Sequence, residues 1–144
     1  MQINFKKLTA TATLPEYATP GAAGLDLRAD IPTRTVLHPG FRKLIPTGLS
    51  IELPPGFEAQ VRPRSGLALK SGITVLNTPG TVDCDFRGNI GVILINHGDV
   101  AFDILPGDRI AQLVIAPVLH ITPVQCEQLM ATERGAGGFG STGR

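Results

Sequence analysis

Tryptophan is missing from this 144-residue chain, tyrosine occurs once, and aromatic residues make up only 5% of the total. A core assembled around large rings is therefore excluded, and the interior has to be built from Val, Ile and Leu packed between sheets. Cysteine is scarce too: Cys84 and Cys126 stand far apart with no CxxC pair. Buried or half-buried free thiols in a reducing compartment are the expectation, with a single disulfide left open. Only 17% of residues are charged, the net charge is +1, and no polybasic run exists. Neither duplex nucleic acid nor an anionic membrane has an electrostatic footprint to bind, so any anion site must be local. The longest apolar run, residues 90–95, is far too short to span a bilayer, and residues 1–8 lack the apolar stretch of a signal peptide. A soluble, cytoplasmic protein without a stable nucleic-acid or membrane partner is expected.

Glycine and proline, 17 and 12 residues respectively, are spread along the chain, and short alternating apolar runs lie between them. That pattern is all-β, and the length fits one domain. Strands are expected at 3–8, within 21–29, and at 33–37, 41–44, 49–53, 57–61, 73–76, 90–96, 100–105 and 109–117, with a polar loop over 9–20. One short helix is expected near 65–71, with Ser65 as its cap, Leu67 and Leu69 packing, and Gly72 closing its end. Arg64 beside that helix start would make a receptor for a phosphate. The alternative is an ordinary capped helix with a surface arginine.

Residues 77–89 concentrate chemistry: Asp83, Asp85, Phe86 and Arg87 lie between Pro79-Gly80 and Gly88-Asn89. The segment reads as a hairpin. If it stays extended, Asp83 and Asp85 share one face and Phe86 takes the other; a turn beginning near Asp83 would instead let Asp83 and Phe86 meet. Gln112 is an amide inside an apolar strand and calls for a partner, unless its position is simply exposed. Asp26 alternates with Leu25 and Leu27, and by itself it reads as a solvated pair with Arg28. The final residues, 134–144, hold too much glycine to keep one conformation alone, and they carry Arg134 and Phe139. They do not form a P-loop, since Ser141 stands where the lysine belongs.

Taken together, Ala23-Gly-Leu-Asp-Leu27, Pro63-Arg-Ser-Gly66, Gly80-Thr-Val-Asp-Cys-Asp-Phe-Arg-Gly88, Gly107-Asp-Arg-Ile-Ala-Gln112 and Arg134-Gly-Ala-Gly-Gly-Phe-Gly-Ser141 resemble, in order, the five motifs of the trimeric dUTPase family. The resemblance implies a jelly-roll-like β-sandwich or barrel over 1–133 with a flexible glycine-rich tail over 134–144. It also implies a homotrimer with shared active sites and Mg²⁺-dependent hydrolysis of dUTP to dUMP and pyrophosphate, which limits uracil incorporation into DNA. Carried over residue by residue, Asp83 becomes the general base, while Arg64, Ser65, Gly66 and Gln112 hold the phosphates. Asp26 anchors a magnesium-bound water. Asn77 reads uracil and Phe86, where tyrosine is frequent in the family, packs on deoxyribose. Arg134, Phe139, Gly140 and Ser141 close over the substrate. Two rival readings are a dCTP deaminase of the same superfamily and a nucleotide-binding β-sandwich without catalysis.

Overall fold

The computed structural model describes residues 1–140. Along the chain run β1 (Asn4–Lys7), β2 (Glu16–Tyr17), β3 (Leu25–Arg28), β4 (Thr35–Leu37), β5 (Arg42–Pro46), β6 (Leu49–Glu52), β7 (Phe57–Arg62), α1 (Ser65–Ser71), β8 (Ile73–Val75), β9 (Gly80–Val82), β10 (Gly91–Asn96), β11 (Phe102–Ile104) and β12 (Arg109–Pro117). The largest sheet has the order β2-β3-β12-β7-β9, a second has β5-β10-β8, and the pairs β1-β6 and β4-β11 complete the sandwich. Every pairing is antiparallel. The architecture is a jelly-roll-like β-sandwich with a single short helix among the described residues.

Period-two alternation explains the layering. In β10, Val92, Leu94 and Asn96 are buried while Gly91, Ile93 and Ile95 are half-buried on the other face. The fully buried side chains, among them Leu27, Leu37, Ile45, Leu94, Ile104 and Leu113, are aliphatic. Phe5 and Phe102 pack only from the margin of this cluster. Thr47, Ser50 and Asn96 are the buried polar residues, and Asn96, at 0% exposure, is fully partnered: Nδ2 donates to the carbonyls of Leu37 and Val100 at 2.8 Å, and Oδ1 accepts from Gly98 N–H at 2.8 Å.

Three local expectations are corrected. Ser65 does not cap α1: Arg64 occupies the cap position with no side-chain bond to the helix, and Ser65 is already helical, leaving its hydroxyl uncommitted to the helix end. Leu69 does not pack, being 87% exposed, whereas Leu67 lies against the core. A helix of seven residues has about two turns, so only one of these two positions faces the sandwich. Gly72 does close α1 in the left-handed region at φ 66°, where a Cβ would stand 2.4 Å from Gly98 N.

The third correction concerns residues 77–89. They form no hairpin: β8 pairs with β10, whereas β9 pairs with β7 in the other sheet. The segment is a crossover, since the strands on either side of the cis Thr78–Pro79 bond belong to different layers. Beyond Val82 the strand yields to a turn closed by Phe86 N–H on Asp83 O at 3.2 Å. Residues 9–20 also carry the two-residue β2, which pairs with β3. Among the described residues, regular structure ends at Pro117, and the only backbone bond from the following stretch to the body runs from Val118 N–H to Gly56 O at 2.8 Å. No helix among the described residues is long and apolar enough to cross a membrane.

Candidate active site

β3 and β12 lie side by side with Asp26 opposite Gln112. β12 also pairs with β7, which puts Gln112 opposite Arg62 and just short of the Pro63–Gly66 segment. Three stretches distant in sequence thus converge on one pocket of about 200 Å³, whose walls include Asp26, Arg64, Ser65, Gly66, Arg109 and Gln112. Gln112 has the partner its setting called for: Nε2 donates to Pro63 O at 2.9 Å. Gly24 makes the fit possible, because a Cβ there would stand 2.4 Å from Gln112 Oε1.

Asp26 does not pair with Arg28. Its Oδ1 lies 3.3 Å from Arg64 Nε and its Oδ2 accepts from Arg109 Nη1 at 3.0 Å. Arg28 turns away to Gly107 O, 3.0 Å, with Glu16 at 3.9 Å. The Asp26 side chain is only 12% exposed, so a carboxylate there requires this double compensation. Arg64 is fixed a second time by donating from Nη1 to Arg109 O at 3.0 Å. The result is a rigid, predominantly cationic floor beside the start of α1, whose first turn contains no acid. Its surplus positive charge suits an anion. Arg109 was given no role from the sequence; Asp26 lies 83 positions away, and only the β3–β12 pairing makes them neighbours.

Asp83 lies elsewhere. It lines a groove of about 460 Å³ with Phe57, Glu58, Thr81, Cys84, Asp85, Val118 and His120. Phe86 is not in that groove; its ring folds back over Gly88, where a Cβ would stand 2.6 Å from the ring, and it remains 42% exposed. Asn77 sits at the other end of β9, its Nδ2 being 3.2 Å from where a Cβ on Gly80 would be. Antiparallel pairing sets Val61 opposite Gly80 and Ala59 opposite Val82, so Asp83 falls at the Glu58 end of β7 while Arg64 follows its Arg62 end. The two ends are about 13 Å apart at roughly 3.3 Å per residue. Arg134 bonds within its own turn, Nε to Gly137 O at 2.8 Å, and Phe139, at φ 50°, and Gly140 are exposed. Ser141 lies outside the described residues.

The sequence profile described as dUTPase matches residues 10–143. The chain belongs to the dUTPase family. It is 61% identical over 140 residues to the deoxyuridine 5'-triphosphate nucleotidohydrolase of Chlamydia pneumoniae, covering 96% of this chain and 97% of that protein. Against the protein of the same name from Treponema denticola it is 63% identical over 139 residues, covering 96% of each. Among solved structures, a G164S mutant of the Staphylococcus bacteriophage 80alpha dUTPase with dUpNHpp superposes with a TM-score of 0.91 at 26% identity, covering 99% of both chains. Within this dUTPase-family chain, the pocket floored by Arg64, Arg109 and Asp26 is where the β3, β12 and Pro63–Gly66 segments meet.

No group of three or more His, Cys, Asp or Glu among the described residues is arranged to hold a metal ion. A divalent cation would therefore need its remaining ligands from substrate phosphates and water, which is the usual habit of Mg²⁺. Asp26 fits the role of a single anchor. Oδ2 accepts one hydrogen bond from Arg109 and Oδ1 is only ion-paired with Arg64, so both oxygens retain acceptor capacity for a metal-bound water.

Proposed function

We propose that this protein hydrolyses dUTP to dUMP and pyrophosphate in the presence of Mg²⁺. The observation that carries the reading is the convergence of Asp26, Arg64, Ser65, Gly66 and Gln112 in one pocket on a chain of the dUTPase family. That pocket is of a size for a phosphate chain and too small for a whole nucleotide, as ligand pockets typically run from about 300 Å³ upward. Arg64 and the Gln112 amide hold the phosphates; Ser65 and Gly66 add the hydroxyl and backbone N–H groups at the helix start. Asp26 would hold Mg²⁺ through water, and the ion would supply positive charge against the triphosphate.

Asp83 acts as the general base. A water attacks the α-phosphorus in line and gives its proton to the Asp83 carboxylate, while the bond from the α-phosphorus to the bridging oxygen breaks and pyrophosphate departs. Asn77 reads uracil, Phe86 packs on the deoxyribose, and the segment beginning at Arg134 closes over the substrate with Phe139, Gly140 and Ser141. The distance between Asp83 and Arg64 along β7 supports sites completed between subunits of a homotrimer. Exposed apolar side chains support assembly as well: Phe41 is 67%, Val100 72%, Leu119 86% and Ile121 69% exposed in the single chain. The unpaired Cys84 and Cys126 agree with a cytoplasmic setting.

The test is Mg²⁺-dependent pyrophosphate release compared across dUTP, dCTP, dTTP and UTP, with Asp83→Asn beside the parent. We expect release from dUTP alone, and a fall of about 10²–10⁴ in kcat for Asp83→Asn with binding of a non-hydrolysable dUTP analogue retained. Near-parent turnover in that variant would remove Asp83 from the role, and robust ammonia release from dCTP would replace the reading with deamination.

A further inference from the structure

The turn that carries Asp83 and Phe86 is held by a side chain to which the reaction above gives no part. Arg87 Nη1 donates to Cys84 O at 2.7 Å and to Phe86 O at 3.0 Å, so one guanidinium nitrogen bridges two carbonyls of the same turn. The Arg87 backbone is itself fixed, since the buried Ser50 hydroxyl donates to Arg87 O at 2.8 Å. Two further ties follow: Gly48 N–H donates to Asn89 Oδ1 at 3.0 Å and Ile90 N–H to Leu49 O at 2.8 Å. The loop is therefore fastened to β6 from position 87 onward. Between Val82, the last residue of β9, and Arg87, the only bonds among the described residues that set its shape are the 3.2 Å turn bond and the two from Arg87.

We propose that Arg87 is a positioning residue: its guanidinium transmits the fixed geometry of β6 to the turn and so sets where the Asp83 carboxylate and the Phe86 ring stand. The inference rests on the reading of Asp83 as base and Phe86 as the sugar platform. A role in stability alone is a poor account of the arrangement. Arg87 is 50% exposed and its ionic partner Glu52 is 3.9 Å away, a pairing that contributes little in water. The short bonds go instead to carbonyls of the turn. Planar guanidinium geometry suits this bridging, and an ammonium on a flexible stem holds it less well. Loss of the bridge leaves the turn folded by its Phe86–Asp83 bond but free to shift, and a displacement of about 1 Å at a reacting group costs on the order of 10²-fold in rate.

Four variants are compared with the parent: Arg87→Ala, Arg87→Lys, Glu52→Gln and Asp83→Asn. The readouts are kcat, KM for dUTP, thermal midpoint and assembly state. Arg87→Ala should lose about 10–100-fold in kcat with KM changed less than about threefold and the midpoint nearly unmoved. Arg87→Lys should recover part of the loss, and added methylguanidinium should raise kcat of Arg87→Ala alone. Glu52→Gln should behave like the parent. If Asp83→Asn is inactive while Arg87→Ala keeps parental kcat, the positioning role is overturned and the base assignment stands. If Arg87→Ala loses activity only in proportion to lost folded protein, with no recovery in Arg87→Lys, the role is purely structural and the proposal is overturned. Near-parent turnover in Asp83→Asn overturns the base assignment and, with it, the positioning role.

Discussion

Gly24→Ala tests the packing of the phosphate pocket with a single methyl group. The added Cβ would stand 2.4 Å from Gln112 Oε1, 3.0 Å from its Cβ and 3.1 Å from its Cδ. Three atoms of one side chain are too close, and the Gln112 backbone is locked between β3 and β7, so the amide must swing out. That movement breaks the 2.9 Å bond to Pro63 O. A neutral hydrogen bond contributes about 1 kcal/mol net, and overpacking adds about 1–3 kcal/mol. The sum, about 2–4 kcal/mol, corresponds to a fall in thermal midpoint of roughly 8–16 °C at about 4 °C per kcal/mol for a chain of this size. The displaced amide should also weaken dUTP binding about tenfold, since each 1.4 kcal/mol of lost contact is a factor of ten. Gly21→Ala is the control: a Cβ there meets nothing within 4 Å, so stability should change by less than about 0.5 kcal/mol. Thermal unfolding at one protein concentration and titration with a non-hydrolysable dUTP analogue read both effects. If Gly24→Ala matches Gly21→Ala in both, the contact between Gly24 and Gln112 does not organise the pocket.

Gly88→Ala places a Cβ 2.6 Å from the Phe86 ring and must push it aside, so the discrimination of dUTP against UTP should fall while the fold survives; an unchanged ratio of kcat/KM would refute a sugar-reading role for that ring. Asn96→Ala strips the partners from Leu37 O, Val100 O and Gly98 N–H in a site of 0% exposure, and chemical denaturation should show a loss of about 2–4 kcal/mol. A loss under about 0.5 kcal/mol would mean that water replaces the amide. Ending the chain at Glu133 should leave the denaturation midpoint near the parent's, because regular structure among the described residues stops at Pro117, yet should reduce turnover at least tenfold; full activity would dismiss the closing segment.

The all-β class, the aliphatic core and most strand positions were legible in the sequence because period-two alternation and glycine–proline punctuation are local signals. So was α1, since Gly72 marks its end through a backbone angle that glycine adopts freely. Its capping was misread for an equally local reason: serine is a good cap in general, but the chain leaves β7 in an extended conformation through Arg64, which makes Arg64 the cap position by geometry alone. The segment 77–89 looked like a hairpin because turn residues flank it. Which strand a strand pairs with is a long-range choice, and it sent β8 and β9 to different sheets.

The sequence by itself determined the family, through five short motifs in order, and with them the residue types able to meet a triphosphate. Only the tertiary structure decided how those residues are wired. It took Asp26 from its sequence neighbour Arg28 and set it between Arg64 and Arg109, because β3 and β12 pair with Asp26 opposite Gln112 and a nearly buried carboxylate must be compensated by whatever cations the register delivers. It likewise bent the chain at Asp83 and put that residue at the far end of β7 from Arg64. Register and sheet order are sums over many distant contacts, so the neighbours of a charged group in a sheet follow from the whole fold, while its own chemistry is already fixed by its identity.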